Sequence, residues 1–358
     1  MQDSMYGYMK PGLVHFKAFP ELMQSHARYV ETLRTICEDD FWTAVEIGPC
    51  KDTRDRDIAR KMLAVSHLTV AYATQPTAFP MKLNPHAFDP AERKWVLHVI
   101  KRCVDEAYEV GASFFRISSG KDPGDEKRSE AKKYFVDFMY EICSYTKQQG
   151  DMVVTLKIFD RDIEKEFLIG HFADAAEVAR PVAAEFSNFG LLSDLSHFPL
   201  LKEKPEEAIP LIKDFFLHFH IGNCVVEDKK HFLYGDLQPR FGVPGGSLDT
   251  KDVCNYFKIL LKHGLLKTDN PPIVSAEVRP LLAEETSELV IANTKRVIRE
   301  AWAHAESRPG ASSRGRRRER SLRCEPSRTH LSRERASRAR RVRSSISSVL
   351  RTDDSRLA

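Results

Sequence analysis

The sequence predicts an α/β chain folded as a closed (β/α)8 TIM barrel, followed by a disordered Arg/Ser-rich C-terminal tail. Three observations carry this. Short apolar runs alternate eight times with helix-like stretches over about 300 residues, the pattern of repeated βα units. The first of them, VHFKAFPELM, is not followed by the glycine-rich phosphate loop that an open doubly wound sheet commonly shows. After Glu306 the composition turns to arginine and serine with no apolar periodicity, so that stretch cannot build a core. The expected organisation is a barrel over residues 1–306 and a basic low-complexity tail over 307–358.

In chain order, residues 14–19 (VHFKAF) are the first strand, and a helix-like stretch runs from Pro20 through Cys37. Ala44 to Gly48 (AVEIG) is the second strand, DTRDRDIARKMLAVSH the next helix, and Leu68 to Tyr72 the third strand. Asp89, Pro90 and Glu92 form a helix start: an aspartate cap, a proline at the first helical position and an acid three residues after the cap. Trp95, Val96, Val99, Ile100, Cys103, Val104 and Ala107 follow at helical spacing, and Gly111 stops them. Ser113 to Ser118 is the fourth strand, a helix runs from about Glu130 to Gln149, and Val153 to Phe159 is the fifth strand. Residues 162–184 read as mostly helical before the sixth strand, Phe189 to Asp194. A short helix from Glu206 to Lys213 precedes the seventh strand, Phe215 to His220. Asp249 caps the helix that Gly264 ends. Ile273 to Val278 is the eighth strand, and a last helix runs from about Glu284 to Ala305.

The 42% apolar and 30% charged fractions are those of a soluble globular chain. No apolar run approaches the roughly 20 residues of a membrane span, and MQDSMYGYMK has no secretory pattern. Seven scattered cysteines without CxxC spacing read as free thiols in a reducing compartment, which suggests a cytoplasmic protein. The net charge of +4 conceals an asymmetry. Sixteen arginines against five acids from Arg308 onward give that stretch +11, which leaves −7 for the rest. Such a tail can hold phosphates or be inert, whereas an acidic barrel argues against nucleic acid.

Chemistry-bearing residues collect at the strand ends, which face one mouth in a barrel. FGLLSDLSH closes on Asp194 and His197, FFLHFHIGNC carries His218, His220 and Asn223, and IVSAE ends on Glu277. Glu46 and Arg116 sit near the ends of the second and fourth strands, and Lys157 lies on the fifth. Arg240, on the long loop YGDLQPRFGVPGG, could hold a phosphate or carboxylate, and Asp236 there is a further polar candidate. Each has a plainer reading: a packing role for His218, backbone ordering for His197, a salt bridge inside the barrel for Glu46, and solvated charge for Arg240.

The pairing of Asp194 and His197 (D-x-x-H), then His218 and His220 (H-x-H), resembles the sugar phosphate isomerase/epimerase group of xylose-isomerase-like barrels. FRISSGKDP, GDLQPRFGVPGG and VSAEVRP extend the resemblance over residues 10–305. It implies one divalent ion (Mn, Mg, Co or Zn) held by Asp194, His220 and Glu277, with a fourth acid on the fifth strand. Here Lys157 stands at that fourth position. The resemblance also implies proton transfer beside a sugar carbonyl with Glu277 as a base, and a substrate contact from His197. His218, two residues before His220 and so on the same side of the strand, is a candidate to support the site or touch substrate. A substrate arginine six residues after His220 is replaced by Val226.

Four readings follow. The first is a metal-dependent isomerase or epimerase of a sugar or sugar phosphate. The second is a metal-free binding protein in which Lys157 replaces the ion as an internal ion-pair partner. A third is a Schiff-base lyase using Lys157, which requires a depressed lysine pKa that acidic neighbours oppose. An endonuclease IV-like protein would need more histidines and acids than the strand ends supply. The expected partners are a small carbohydrate and, in a homo-oligomer, a second copy of the chain; a membrane is not expected.

Overall fold

The computed structural model describes residues 3–305. The tail expected over 307–358 lies outside the described residues. Eight strands close into one parallel barrel in sequential order, β1 pairing with both β2 and β8. They are β1 (Lys10–Val14), β2 (Ala44–Ile47), β3 (Thr69–Ala73), β4 (Phe114–Ile117), β5 (Val153–Lys157), β6 (Phe189–Asp194), β7 (Phe216–Ile221) and β8 (Ile273–Ala276). Around them lie α1 (His15–Ala18), α2 (Tyr29–Cys37), α3 (Thr53–Ser66), α4 (Gln75–Ala78), α5 (Pro90–Glu109) and α6 (Asp125–Gln149). The ring continues with α7 (Phe172–Glu185), α8 (His197–Leu201), α9 (Pro205–Ile212), α10 (Thr250–Lys262) and α11 (Ser287–Ala305). No helix among the described residues is long and apolar enough to cross a membrane.

The main departure from the sequence reading is at the start. The first strand lies upstream of the expected 14–19, and His15–Ala18 forms a helical turn instead. Pro11 and Gly12 discourage a strand reading, yet the strand needs that glycine. A Cβ at Gly12 would come within 2.5 Å of Ser275 Oγ across the β1–β8 pair.

A second departure is the stretch after β5, where residues 162–171 are loop and the helix begins only at Phe172. The buried Asp160 carboxylate accepts the backbone N–H groups of Ile163, Glu164 and Lys165 at 3.0, 2.7 and 2.9 Å, gathering them into a tight turn. Helix α6 starts earlier than expected, with Asp125 and Glu126 in its positively polarised first turn.

The caps read from the sequence are present. Asp89 accepts from Ala91 N–H at 2.9 Å, and Asp249 with Asp252 forms a capping box on α10.

The large apolar core lies between the sheet and the helices, and a second, much smaller cluster fills the barrel floor: Ala44, Ala71 and Ile273 with Phe114 packed on them. Above that floor the interior is charged. The six described cysteines are free thiols, all buried except the half-buried Cys37.

Candidate active site at the barrel mouth

Strand alternation aims the functional side chains. On β7, His218 and His220 face inward while Phe219 between them packs outward near Tyr256. The β6–β7 register slips between Leu191 and Leu192, so His218 pairs with Leu192 and His220 with Asp194. That slip brings the imidazole and the carboxylate level at the mouth.

Six charged or titratable groups meet there with almost no exposure: Glu46, Arg116, Lys157, Asp194, His220 and Glu277 are all 2% exposed or less. Lys157 Nζ lies 2.8 Å from Asp194 Oδ2, 2.6 Å from Glu277 Oε2 and 3.4 Å from His220 Nδ1. The other Glu277 oxygen lies 2.9 Å from Lys17 Nζ. Arg116 Nη1 lies 3.0 Å from Glu46 Oε2, 3.1 Å from His220 Nε2 and 3.4 Å from Glu277 Oε2. His220 lies between two acids, Nδ1 at 2.8 Å from Glu277 Oε2 and Nε2 at 2.7 Å from Glu46 Oε1. His218 Nε2 also reaches Glu46 Oε1, at 2.8 Å.

Burial alone would drive these groups neutral, and the surrounding charges reverse it. For His220, burial opposes the cation, but Glu46 and bonds to Asp194 and Glu277 raise the ring to about 9. Burial likewise opposes the charge on Lys157, and Asp194 and Glu277 outweigh it and hold the ammonium. Glu277 and Glu46 stay well below the usual carboxylate range against their burial, the first through Lys157 and Lys17, the second through His220 and Arg116. Burial keeps His197 and His218 as neutral rings.

The remaining candidates divide. His197 lies 3.8 Å from Asp194 Oδ2 and 3.9 Å from Asp236 Oδ2, with neither ring nitrogen in a hydrogen bond. Asp236 is buried beside Lys165 at 3.2 Å and accepts from Gln238 Nε2 at 2.6 Å. Arg240 is engaged elsewhere: its Nε lies 2.6 Å from Glu285, and Nη1 donates to Phe241 O. Lys17, Gln75 and Lys165 are members of the network that sequence reasoning missed; each sits outside the strand ends that drew attention. A cavity of about 560 Å³ opens beside the mouth, lined by Thr74, Ile117, Ser118, Gly120, Lys165 and Phe167. The charged centre itself is closed.

Two sets of donors have the composition of a cation site: Asp194, His220 and Glu277, and Glu46, His218 and His220, the atoms of each set lying within 4.8 Å of one another. Divalent ions take such ligands at roughly 2.0–2.6 Å and need an unprotonated imidazole nitrogen. The first set already surrounds the Lys157 ammonium, and the second faces the Arg116 guanidinium. With those side chains in place, the residues present do not fit a divalent ion.

Residues 42–279 match the family model described as Xylose isomerase-like TIM barrel. The chain belongs to that family. No curated protein matches it. Among solved structures this xylose isomerase-like barrel is similar to a D-tagatose 3-epimerase-like protein, with TM-score 0.63 and 14% identity, covering 83% of this chain and 98% of the other. It is similar also to IolI with a bound zinc atom, with TM-score 0.61, 17% identity and coverage of 84% and 100%. A third is the apo 3-keto-D-glucoside 4-epimerase YcjR of E. coli, with TM-score 0.59, 17% identity and coverage of 81% and 98%. At these identities the likeness shows the fold alone.

Proposed function

We propose that this chain acts on a sugar or sugar phosphate by moving a proton at the carbon next to its carbonyl, an isomerase or epimerase reaction. The observation that supports it most is a carboxylate and an ammonium, Glu277 and Lys157, 2.6 Å apart at the strand-end mouth. Proton removal beside a carbonyl needs a base at the carbon and a positive group where charge develops on oxygen. Glu277 is the base in this reading. Lys157 donates an N–H to the carbonyl oxygen and keeps its proton, so no step passes through a divalent ion. In an isomerisation the proton on Glu277 returns to the neighbouring carbon while the hydroxyl proton passes from one oxygen of the enediol to the other, which closes the cycle. The centre is closed in this structure, so the substrate must open the mouth to reach it; its oxygen then takes up the Lys157 donor, draws that cation from Glu277 and raises its basicity. His197, with two unpartnered ring nitrogens, is the contact for substrate hydroxyls, and Arg116 with Glu46 positions His220. The carbohydrate epimerases among the structural neighbours support the substrate class.

The test is a panel of aldoses, ketoses and their phosphates incubated with the protein in D2O and chelator. Deuterium is expected beside the carbonyl of at least one, and Glu277→Gln is expected to abolish it. A panel with no exchange, with or without added Mn²⁺, overturns the reaction.

A second reading is a carbohydrate-binding protein without turnover. The low basicity of Glu277 and the closure of the centre favour it. Sugar that raises the melting temperature without any exchange would establish it.

A further inference from the structure

We infer that both cation-shaped donor sets of this barrel are filled by the chain's own basic side chains, Lys157 in one and Arg116 in the other, so that the native mouth takes up no divalent ion and removal of Lys157 opens a site for one. The inference concerns the site of the proposed reaction and rests on that reading only for its location.

Charge and geometry carry it. Three buried carboxylates, Glu46, Asp194 and Glu277, already have three basic side chains within ion-pair distance, Lys157, Arg116 and Lys17, in addition to the His220 ring, so no negative charge is left for an ion to neutralise. Lys157 Nζ stands within 3.4 Å of one atom from every member of the Asp194, His220 and Glu277 set, which is the place an ion shared by them would take. The lysine also has no easy exit. Its side chain is fully sealed from solvent, and the ammonium lies 4.9 Å from the centre of the Phe159 ring. An incoming ion must therefore leave an ammonium buried beside it, or push that charge through an apolar wall. In the second set Arg116 is pinned as well, because its Nε donates to Gln75 Oε1 at 3.0 Å. Removing Lys157 leaves two acids and a histidine around an empty cation position. A glutamate there adds a fourth ligand.

The full chain, stripped with chelator, would be titrated with Mn²⁺ and read by bound metal after desalting and by melting temperature. Wild type is expected to keep no Mn²⁺ and to melt at an unchanged temperature. Lys157→Glu is expected to keep about one Mn²⁺ per chain and to gain roughly 5 °C at saturation. A wild type that retains about one ion overturns the inference, as does a folded Lys157→Glu that retains none. Should Lys157→Glu not fold as apoprotein, Lys157→Met is read in the same way. Should neither fold, the yield of refolding decides: recovery in Mn²⁺ but not in chelator supports the inference, and failure in both overturns it. Sugar exchange separates this from the reaction. Exchange in wild type that needs Mn²⁺ removes the inference and keeps the reaction, whereas a metal-free, exchange-silent wild type with a metal-binding Lys157→Glu does the reverse.

Discussion

Arg116 Nη1 lies 3.0 Å from Glu46 Oε2 inside the barrel, with the two side chains 1% and 0% exposed. A buried pair of this kind gives little net stability over an apolar replacement of both partners, but breaking it leaves a charge stranded. Arg116→Met is therefore expected to cost about 3–5 kcal/mol, and Arg116→Met with Glu46→Gln to recover much of that. Arg116→Lys should recover less, since a lysine has no fork to reach Gln75 as well. Urea unfolding of the three variants checks the order. A single-variant loss below about 1 kcal/mol would mean the pair is not structural.

Asp160 is expected to be as sensitive for a different reason. Its carboxylate accepts three backbone N–H groups within one turn, and it is fully buried. Asp160→Ala orphans all three donors and is expected to destabilise by about 3–5 kcal/mol, while Asp160→Asn, which keeps one acceptor oxygen, loses less. The turn carries Glu164 and Lys165, which hold Asp236, so the Ala variant should also weaken any sugar-induced rise in melting temperature.

Acid should destabilise the fold through two buried histidines that take no part in the ion pairs of the mouth. Burial, with a smaller contribution from His26, lowers His15 to about 3, and burial lowers His86 to about 4. Both folded values lie below the ordinary 6.5, so the unfolded chain takes up these protons first. Stability is intact above about pH 6.5 and falls as pH drops toward 4. Each ring contributes about 2 kcal/mol of loss by pH 5, roughly 4 together. Urea unfolding at pH 7 and pH 5 measures the difference. His15→Gln should remove about 2 kcal/mol of it, whatever it does to stability at pH 7.

The residues that were legible in the sequence are those that strand alternation and topology place without help. Asp194, His220 and Glu277 end apolar strands, and closing eight βα units brings strand ends together. What the sequence could not convey is how charge is shared once the mouth closes. Lys17 is seated on a one-turn helix after β1, where nothing in HFKA distinguishes it from a solvated lysine. Arg240 looked like a ligand residue because it lies on the long loop, but Glu285, 45 residues on, meets it in space. The misplaced first strand has the same origin. Pro11 and Gly12 break a local β pattern, and only the close approach of Ser275 from the far end of the chain explains the glycine. Lys157 stood out in the sequence as a departure. Its role could be read only from the three distances that place it among the acids.

Gly222 gives the sharpest test of how tightly the mouth is built. A Cβ added there would run into the Gln238 amide and come within 2.9 Å of the Glu277 backbone oxygen. Gln238 Nε2 donates to Asp236 Oδ1 at 2.6 Å and to Ser196 Oγ at 2.9 Å, and Ser196 in turn donates to Asp194 Oδ1 at 2.8 Å, so the methyl group presses on the chain that links the two carboxylates. Gly222→Ala is expected to destabilise by about 1–3 kcal/mol, the usual cost of overpacking a close-packed site. Gln238→Ala removes one of the two clashes but leaves the backbone one. The double variant should therefore recover part of the loss and not all of it, a coupling that the four-way comparison of unfolding free energies measures directly. Full recovery would mean the Glu277 backbone yields easily, and the mouth would then be softer than its sealed ion pairs imply. No recovery would place the whole cost on the backbone clash, with Gln238 free to swing aside.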